Sequence, residues 1–352
     1  MWTDSSGTRP TGSAEDPPTR GTVTLRDVAG AAGVSVSTVS RVLDDRAPRS
    51  RSATAVRVRE VADRLGYRRN TFASGLRRGT TGTIGVVVPR LTDAVMAMVY
   101  EALERAARAR GHFAIVTTSG DEPEGEQEAV DTLLGRNVDG LVLASVRLGD
   151  ELPGRLRAAG VPHALVIRTD GTSPSSVGDD EVGGYLAVRH LLDLGHERIA
   201  LVTGPMFASS ARGRLDGARR ALDEAGVDIP QDWVVGEGYR TEHGIAAAES
   251  LLTGSEAPTA VFAANDNLAL GVLAVAHRRG LRLGRDLALV GYNDTPVVAT
   301  LSVPITSVRV PFDQIATTAM ELLLTPDAPD PVRRALPTLI PRASSGRPLR
   351  NA

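Results

Sequence analysis

From Thr83 onward the chain repeats one pattern, a short and nearly continuous apolar run followed by an amphipathic helical stretch. The runs are TIGVVVP, FAIVTT, DGLVLAS, HALVIR, RIALVTG, TAVFAAN and LALVGYN, with helical stretches at 94–110, 124–136, about 181–194, 211–225, 241–252 and 267–279. A strand that is apolar at every position must be buried on both faces, and strands joined through helices run parallel. The pattern therefore predicts an α/β core of parallel sheets covered by helices on both sides. Some 260 residues of it exceed what one core usually holds, so two sheets are expected. Ligands of such folds sit outside the carboxyl ends of the strands, and between two such domains that place is a shared cleft.

A different pattern precedes it. In TLRDVAGAAGVSVSTVSRVL (Thr24–Leu43), Thr24 and Asp27 have the spacing of a capping box, and Leu25, Val28, Ala29 and Ala32 recur at helical intervals before Gly33. Ser35 caps a second helix at once, whose inward stripe is Val39, Val42 and Leu43 and whose opposite face carries Val36, Ser37, Ser40 and Arg41. Short side chains around one guanidinium suit a major groove, where Arg pairs bidentately with guanine and small residues let the helix approach base edges. The bland reading of this segment is a pair of ordinary surface helices. A third helical pattern, Ala53–Gly66 with Val58, Val61, Ala62 and Leu65 inward, completes a small all-α core. The loop Asp44–Arg51 holds Pro48 and three Arg, placed either on backbone phosphates or in solvent. Residues 69–82 then read as a hinge and the first 21, rich in Thr, Ser, Gly and Pro, as a disordered tail.

Charge is unevenly placed. Arg20–Thr80 holds thirteen Arg against five acidic residues, a net of +8, within a chain of net −2. A basic end attracts phosphates while an acidic body discourages indiscriminate binding. No Lys occurs anywhere, so the preference for Arg is a compositional bias of the whole chain. With no Cys, disulfides, thiolate metal sites and a cysteine nucleophile are excluded. No apolar run spans a bilayer and the first twenty residues lack the apolar core of a secretion signal, so a cytoplasmic protein without membrane contact is expected. Metal-spaced His pairs, GxSxG, GxxxxGK[ST] and a complete GxGxxG are absent, and neither catalysis nor a cofactor is expected. The acidic run 121–128 reads as a solvated loop and helix start, Asp179, Asp180 and Glu181 as a favourable helix N-terminus, and His190 and His196 as a structural cap.

Eight ordered motifs, TLRDVAGAAGVSVSTVSRVL, ASGL, TIGVVVP, VDGLVL, LGHERIALVTGP, the RxRLxGA of Arg212–Ala218, PTAVFAANDNLALG and GLRLGRDLALVGYND, carry a resemblance that the patterns alone do not supply. The chain resembles the lactose/galactose repressor (LacI/GalR) family of bacterial transcription regulators from Val23 to about Ser344. The resemblance implies an N-terminal helix-turn-helix domain (22–68), a hinge (69–82) and a core (83–345) of two periplasmic-binding-protein-like subdomains, with a short tail at 346–352. It places about 83–178 and 309–336 in the first subdomain and about 179–308 and 337–345 in the second, with three crossings between them. It further implies a homodimer on palindromic double-stranded operator DNA, with affinity set by a small effector, a sugar or sugar derivative. The C-terminus has no Leu heptad, so no tetramerising coil is expected.

Carried over by position, Val36, Ser37 and Arg41 match base-reading residues, Ala73 and Leu76 match residues that approach the minor groove, and Leu76 is the apolar wedge. Arg69 stands where the family often has Pro, and Ser74 where Arg is common. Arg214 matches the cleft arginine, whose planar fork grips vicinal hydroxyls or a carboxylate; the alternative is a helix-start ion pair. Asn265 and Asn293 follow strands and face the cleft, Asn293 standing where the family commonly has Asp. Tyr239 matches a stacking position, with core packing as its alternative, and Ser210, Asp93, Met96, Phe207 and Ser145 are placed by register. Positions 93–96 read DAVM where an aromatic NPFF-like run is frequent, which removes one stacking wall. Two other classes share parts of this pattern: a solute-binding protein, which needs export, and a sugar-modifying enzyme, which needs an acid and a base facing the cleft.

Overall fold

The computed structural model describes residues 23–44, 50–67, 80–254, 256–325 and 331–348. The chain divides into two compact units, Met1–Arg77 and Arg78–Ala352. In the first unit Thr24 and Asp27 form the capping box that opens helix α1 (Leu25–Ala32), and Gly33 ends it in the left-handed region (φ 63°). Ser35 accepts from the Thr38 N–H (3.2 Å) to start α2 (Val36–Val42), and Ser52 caps α3 (Ala53–Leu65) in the same way. Val28, Ala29, Ala32, Val39, Val58, Val61 and Ala62 form their common core. The expected hinge residues Ala73 and Leu76, together with Arg69 and Ser74, lie outside the described residues, as do 45–49 of the Arg-bearing loop.

The second unit holds two six-stranded sheets. The first contains β1 (Thr83–Val88), β2 (Phe113–Thr118), β3 (Gly140–Leu143), β4 (His163–Val166), β5 (Ser175–Gly178) and β11 (Val332–Ala335), in the order β11-β5-β4-β3-β1-β2 and parallel throughout. Ile84, Val86 and Val88 face α4 (Ala94–Ala109) and α12 (Phe312–Leu324), while Val87 faces α5 (Pro123–Leu134) and α6 (Leu152–Ala158). Burial on both faces is why the strands read as unbroken apolar runs.

The second sheet contains β6 (Ile199–Val202), β7 (Val234–Val235), β8 (Ala260–Ala263), β9 (Ala288–Asn293), β10 (Thr306–Arg309) and β12 (Thr338–Ile340), in the order β12-β10-β9-β8-β6-β7. All its pairings are parallel except β10 with β12. One face is covered by α7 (Asp180–Asp193) and α8 (Ser209–Ala225), the other by α9 (Thr241–Leu251) and α10 (Asp266–Arg278); a short α11 (Pro296–Ala299) follows β9. Helices α7 and α8 approach so closely that a Cβ on Gly217 would overlap the Glu181 carbonyl, and one on Gly184 the Arg214 carbonyl. The chain passes between the sheets three times, at β5–α7, β10–α12 and β11–β12.

Two details depart from the sequence reading. The acidic run 121–128 is not uniformly solvated, because Glu126 falls in register with Ala129, Val130 and Leu133 on the inward face of α5 and is 2% exposed. The tail expected from residue 346 is held at its start: the Gly346 carbonyl accepts from His196 Nε2 (2.8 Å), and His190 Nε2 meets Ser345 Oγ at 2.8 Å. The two histidines thus fasten the C-terminal segment, with Asp193 paired instead to Arg189.

Candidate functional site

On α2 the hydroxyl-capped start and the buried Val39 fix the helix against its small core, which leaves Val36, Ser37 and Arg41 exposed together and Ser40 half-buried beside them. Val36 is an apolar side chain left 38% exposed. Ser37 Oγ lies 2.8 Å from Ser35 Oγ, so the capping residue also orients this hydroxyl. The face offers one guanidinium, two hydroxyls and one methyl-bearing side chain, the groups that read base edges.

In the second unit a cleft is lined from the first sheet's subdomain by Pro89, Arg90, Asp93, Val95, Met96, Asp121, Ile167 and Arg168, and from the other by Ser210, Arg214, Tyr239, Asn265 and Asn293. Each side chain sits just past the carboxyl end of a strand or on the helix that follows, where parallel sheets leave their strand termini open to ligands. Three lining residues other than glycine hold positive φ: Asp121 (69°), Ile167 (66°) and Asn293 (98°). For the β-branched Ile167 this is a costly conformation, retained in a three-residue turn closed by the Arg168 N–H on the Val166 carbonyl (2.6 Å). Strain of this kind collects where structure serves binding.

Arg214 is 4% exposed; its Nε donates to Asp180 Oδ1 (2.8 Å), its Nη1 to the Ala264 carbonyl (2.6 Å), and its guanidinium lies 3.8 Å from the Tyr292 ring centroid. The two readings of this arginine therefore coexist: it makes the helix-start ion pair and still lines the cleft, with Nη2 unpartnered among the described residues. Burial alone would lower its pKa, and the Asp180 carboxylate more than offsets that, so the guanidinium stays charged. Asp93 caps α4 by accepting from the Val95 N–H (3.0 Å) and also accepts from Asn267 Nδ2 (3.2 Å) across the cleft; burial raises its pKa against these two hydrogen bonds. Asn265 lines the wall but spends its amide on the Leu268 N–H (2.8 Å) and the Tyr239 carbonyl (3.1 Å). Asn293, 3% exposed, has no side-chain partner among the described residues and opens into the cleft. Ser210 Oγ and Tyr239 Oη meet at 3.1 Å.

Two of the register-placed residues lie elsewhere. Ser145 stands behind the wall, donating to Glu126 (2.6 Å) while its carbonyl accepts from Arg168 Nη1 (3.0 Å). Phe207 lines the outer mouth with one ring face covered by the Arg147 guanidinium at 4.0 Å. The sequence reading missed Arg168, 4% exposed and ion-paired to Asp121 (3.0 Å). Its signal was there in HALVIR, a charge set directly after an apolar strand. It also missed Asp121, Arg90, Pro89 and Ile167 in the lining.

Among the described residues no group of three or more His, Asp or Glu is placed to hold a metal ion, and no helix is long and apolar enough to cross a membrane. Residues 24–70 match the model of bacterial regulatory proteins of the lacI family, and 188–345 that of a periplasmic binding protein-like domain. Catabolite control protein A of Priestia megaterium is 34% identical over 304 residues, 86% of this chain and 91% of that one. The ribose operon repressor of Escherichia coli (strain K12) is 33% identical over 307 residues, 86% and 92%. Among solved structures, the lac repressor dimer bound to operator and the anti-inducer ONPF superimposes with a TM-score of 0.81 at 28% identity, over 92% of this chain and 99% of that one. A helix presenting bases-edge donors, a two-sheet cleft and relatives aligned across both make the conclusion plain: the chain belongs to the lacI family of bacterial regulatory proteins, DNA-binding transcriptional repressors under small-molecule control.

Proposed function

We propose that this regulator reads a palindromic operator as a homodimer through Val36, Ser37, Ser40 and Arg41, and that a polyhydroxylated effector, a sugar or sugar derivative, fills its cleft and sets operator affinity. The observation that carries the effector class is the charge pairing of the wall. Arg214 is matched by Asp180 at 2.8 Å and Arg168 by Asp121 at 3.0 Å, so the deepest charges are compensated within the protein. What remains for a ligand is directional: Arg214 Nη2, the Asn293 amide, Asp93 Oδ2 and the Ser210–Tyr239 hydroxyl pair. Such a set orders hydroxyl groups, and Arg90, the lining cation without an ion pair among the described residues, donates to the Gly120 carbonyl (3.5 Å) at the cleft's edge and adds a site for one acidic substituent. A ribose operon repressor among the relatives supports the same class. The relatives are regulators, and we infer binding without turnover, in the cytoplasm where operator DNA lies.

A thermal-shift screen of the full chain against sugars, polyols, sugar phosphates and nucleobases tests this. A ligand at 100 times its Kd adds about 2.7 kcal/mol to stability. R214K retains the charge beside Asp180 but loses the planar fork, and N293D changes a donor into an acceptor; each is expected to weaken the hit. A hit unaffected by both variants would place the ligand outside this cleft.

A further inference from the structure

Asn293 (φ 98°) and Asp294 (φ 53°) are consecutive non-glycine residues in left-handed backbone space, at the end of β9. Such a pair persists only where its surroundings determine it more than once over. The Asn293 side chain opens into the cleft, and the next side chain is used in the opposite direction. Asp294, its side chain 3% exposed, takes the Nε of Arg309 on Oδ2 at 2.7 Å, with Nη2 of the same residue also at 2.7 Å; its Oδ1 lies 2.6 Å from Nη1 of Arg342 as an ion pair without hydrogen-bond geometry, that Nη1 donating to the Ile305 carbonyl (2.8 Å). Its N–H donates to Ser307 Oγ (3.0 Å), which donates to Asp266 (2.7 Å); Asp266 in turn accepts from the N–H (2.6 Å) and hydroxyl (2.9 Å) of Thr295.

The positions of the two arginines give this cluster its meaning. Arg309 is the last residue of β10, beyond which the chain crosses to the first subdomain, and Arg342 follows β12, the strand on which it returns. The first crossing is treated alike: Asp180, two residues past β5, pairs with the cleft residue Arg214. All three crossings are thereby tied by buried carboxylates to the wall that faces the ligand. We propose that Asp294 is a positioning residue that fastens the Asn293 wall to the second and third crossover strands, so that the closure of the two subdomains depends on the Asp294–Arg309–Arg342 cluster. The proposal rests on the reading of the cleft as the effector site. A pair that served stability alone would leave closure unchanged when broken.

The chain has no Cys, which allows a direct test. Glu128→Cys on α5 and Ala246→Cys on α9, both exposed and on opposite subdomains, carry spin labels for a double electron–electron resonance measurement on the full chain, diluted with unlabelled protein and without ligand. D294N keeps the shape of the side chain and tolerates the left-handed backbone; R309Q removes the partner instead. Each is expected to shift the inter-subdomain distance distribution to longer values and broaden it, and the double variant D294N/R309Q to add nothing to D294N. R282Q, which breaks an exposed pair with Asp286, serves as the control and is expected to match the parent. Parent-like distributions in D294N and R309Q would overturn the proposal, as would an equal shift in R282Q. If D294N does not fold, R309Q decides. Because no effector is added, the outcome is independent of whether the screen finds a ligand.

Discussion

Glu126 makes the stability of this protein depend on pH near neutrality. Burial raises its pKa from 4.5 to about 7, reinforced by the charges of Asp150 and Asp121 and opposed by the Ser145 hydroxyl and Arg168. The folded state thus binds a proton more tightly than the unfolded chain, so stability contributed by this group is full below about pH 4.5 and falls as pH rises to about 7. The shift corresponds to about 3 kcal/mol. E126Q keeps an acceptor for Ser145 and removes the ionisation; denaturant unfolding is expected to give nearly equal stability at pH 4 and a gain approaching about 3 kcal/mol at pH 8. A gain of equal size at both pH values would show a packing effect. At this scale some residues were legible and others were not. Arg214 was placed by its motif, with a helix-start ion pair as its alternative, but that the partner is Asp180 at the first crossing was not legible. Glu126 was hidden because an acidic run reads as solvated, although its spacing from Ala129, Val130 and Leu133 puts it on the inward stripe.

Helices α7 and α8 show how an element can be set by an absent side chain. Their approach brings Arg214 on α8 against Asp180 at the start of α7, and it is permitted by Gly184 and Gly217, at which any Cβ would meet backbone of the other helix. Backbone cannot move aside as a side-chain tip can. G217A is therefore expected to cost about 1–3 kcal/mol or more by overpacking, read as a lower unfolding midpoint. G154A, on α6 with open space around the added methyl, is expected to be neutral or to stabilise by up to about 1 kcal/mol. Equal midpoints for G217A and the parent would refute the close-packing account. The strands divide by composition in the same way. The unbroken apolar runs were read directly, whereas β5 (SSVG), β10 (TSVR) and β11 (VRRA) carry no such signal. Ser175 and Ser176 are both buried, and the Ser175 hydroxyl is met by Thr169 Oγ1 (2.8 Å) and the Ser173 carbonyl (2.8 Å).

For the molecule as a whole, control of DNA by a small ligand is a coupling free energy and must be reciprocal. If the effector changes operator affinity by a given factor, operator DNA changes effector affinity by the same factor, commonly 5- to 150-fold for regulators of this kind of coupling. Titrating the effector with and without operator duplex checks this; equal affinities in both would sink the linkage. What the sequence determined by itself was local in origin: where helices α1 to α3 begin and end, which strands are buried on both faces, and which end of the chain is basic, because capping, periodicity and charge are properties of neighbours along the chain. Motif resemblance added the family and the positions of Arg214, Asn265, Asn293 and Tyr239. Only the tertiary structure decided which charges neutralise one another across distant segments, as in Asp121 with Arg168, Asp180 with Arg214 and Asp294 with Arg309 and Arg342. Ion pairing depends on separation in space and on burial, neither of which the order of residues states.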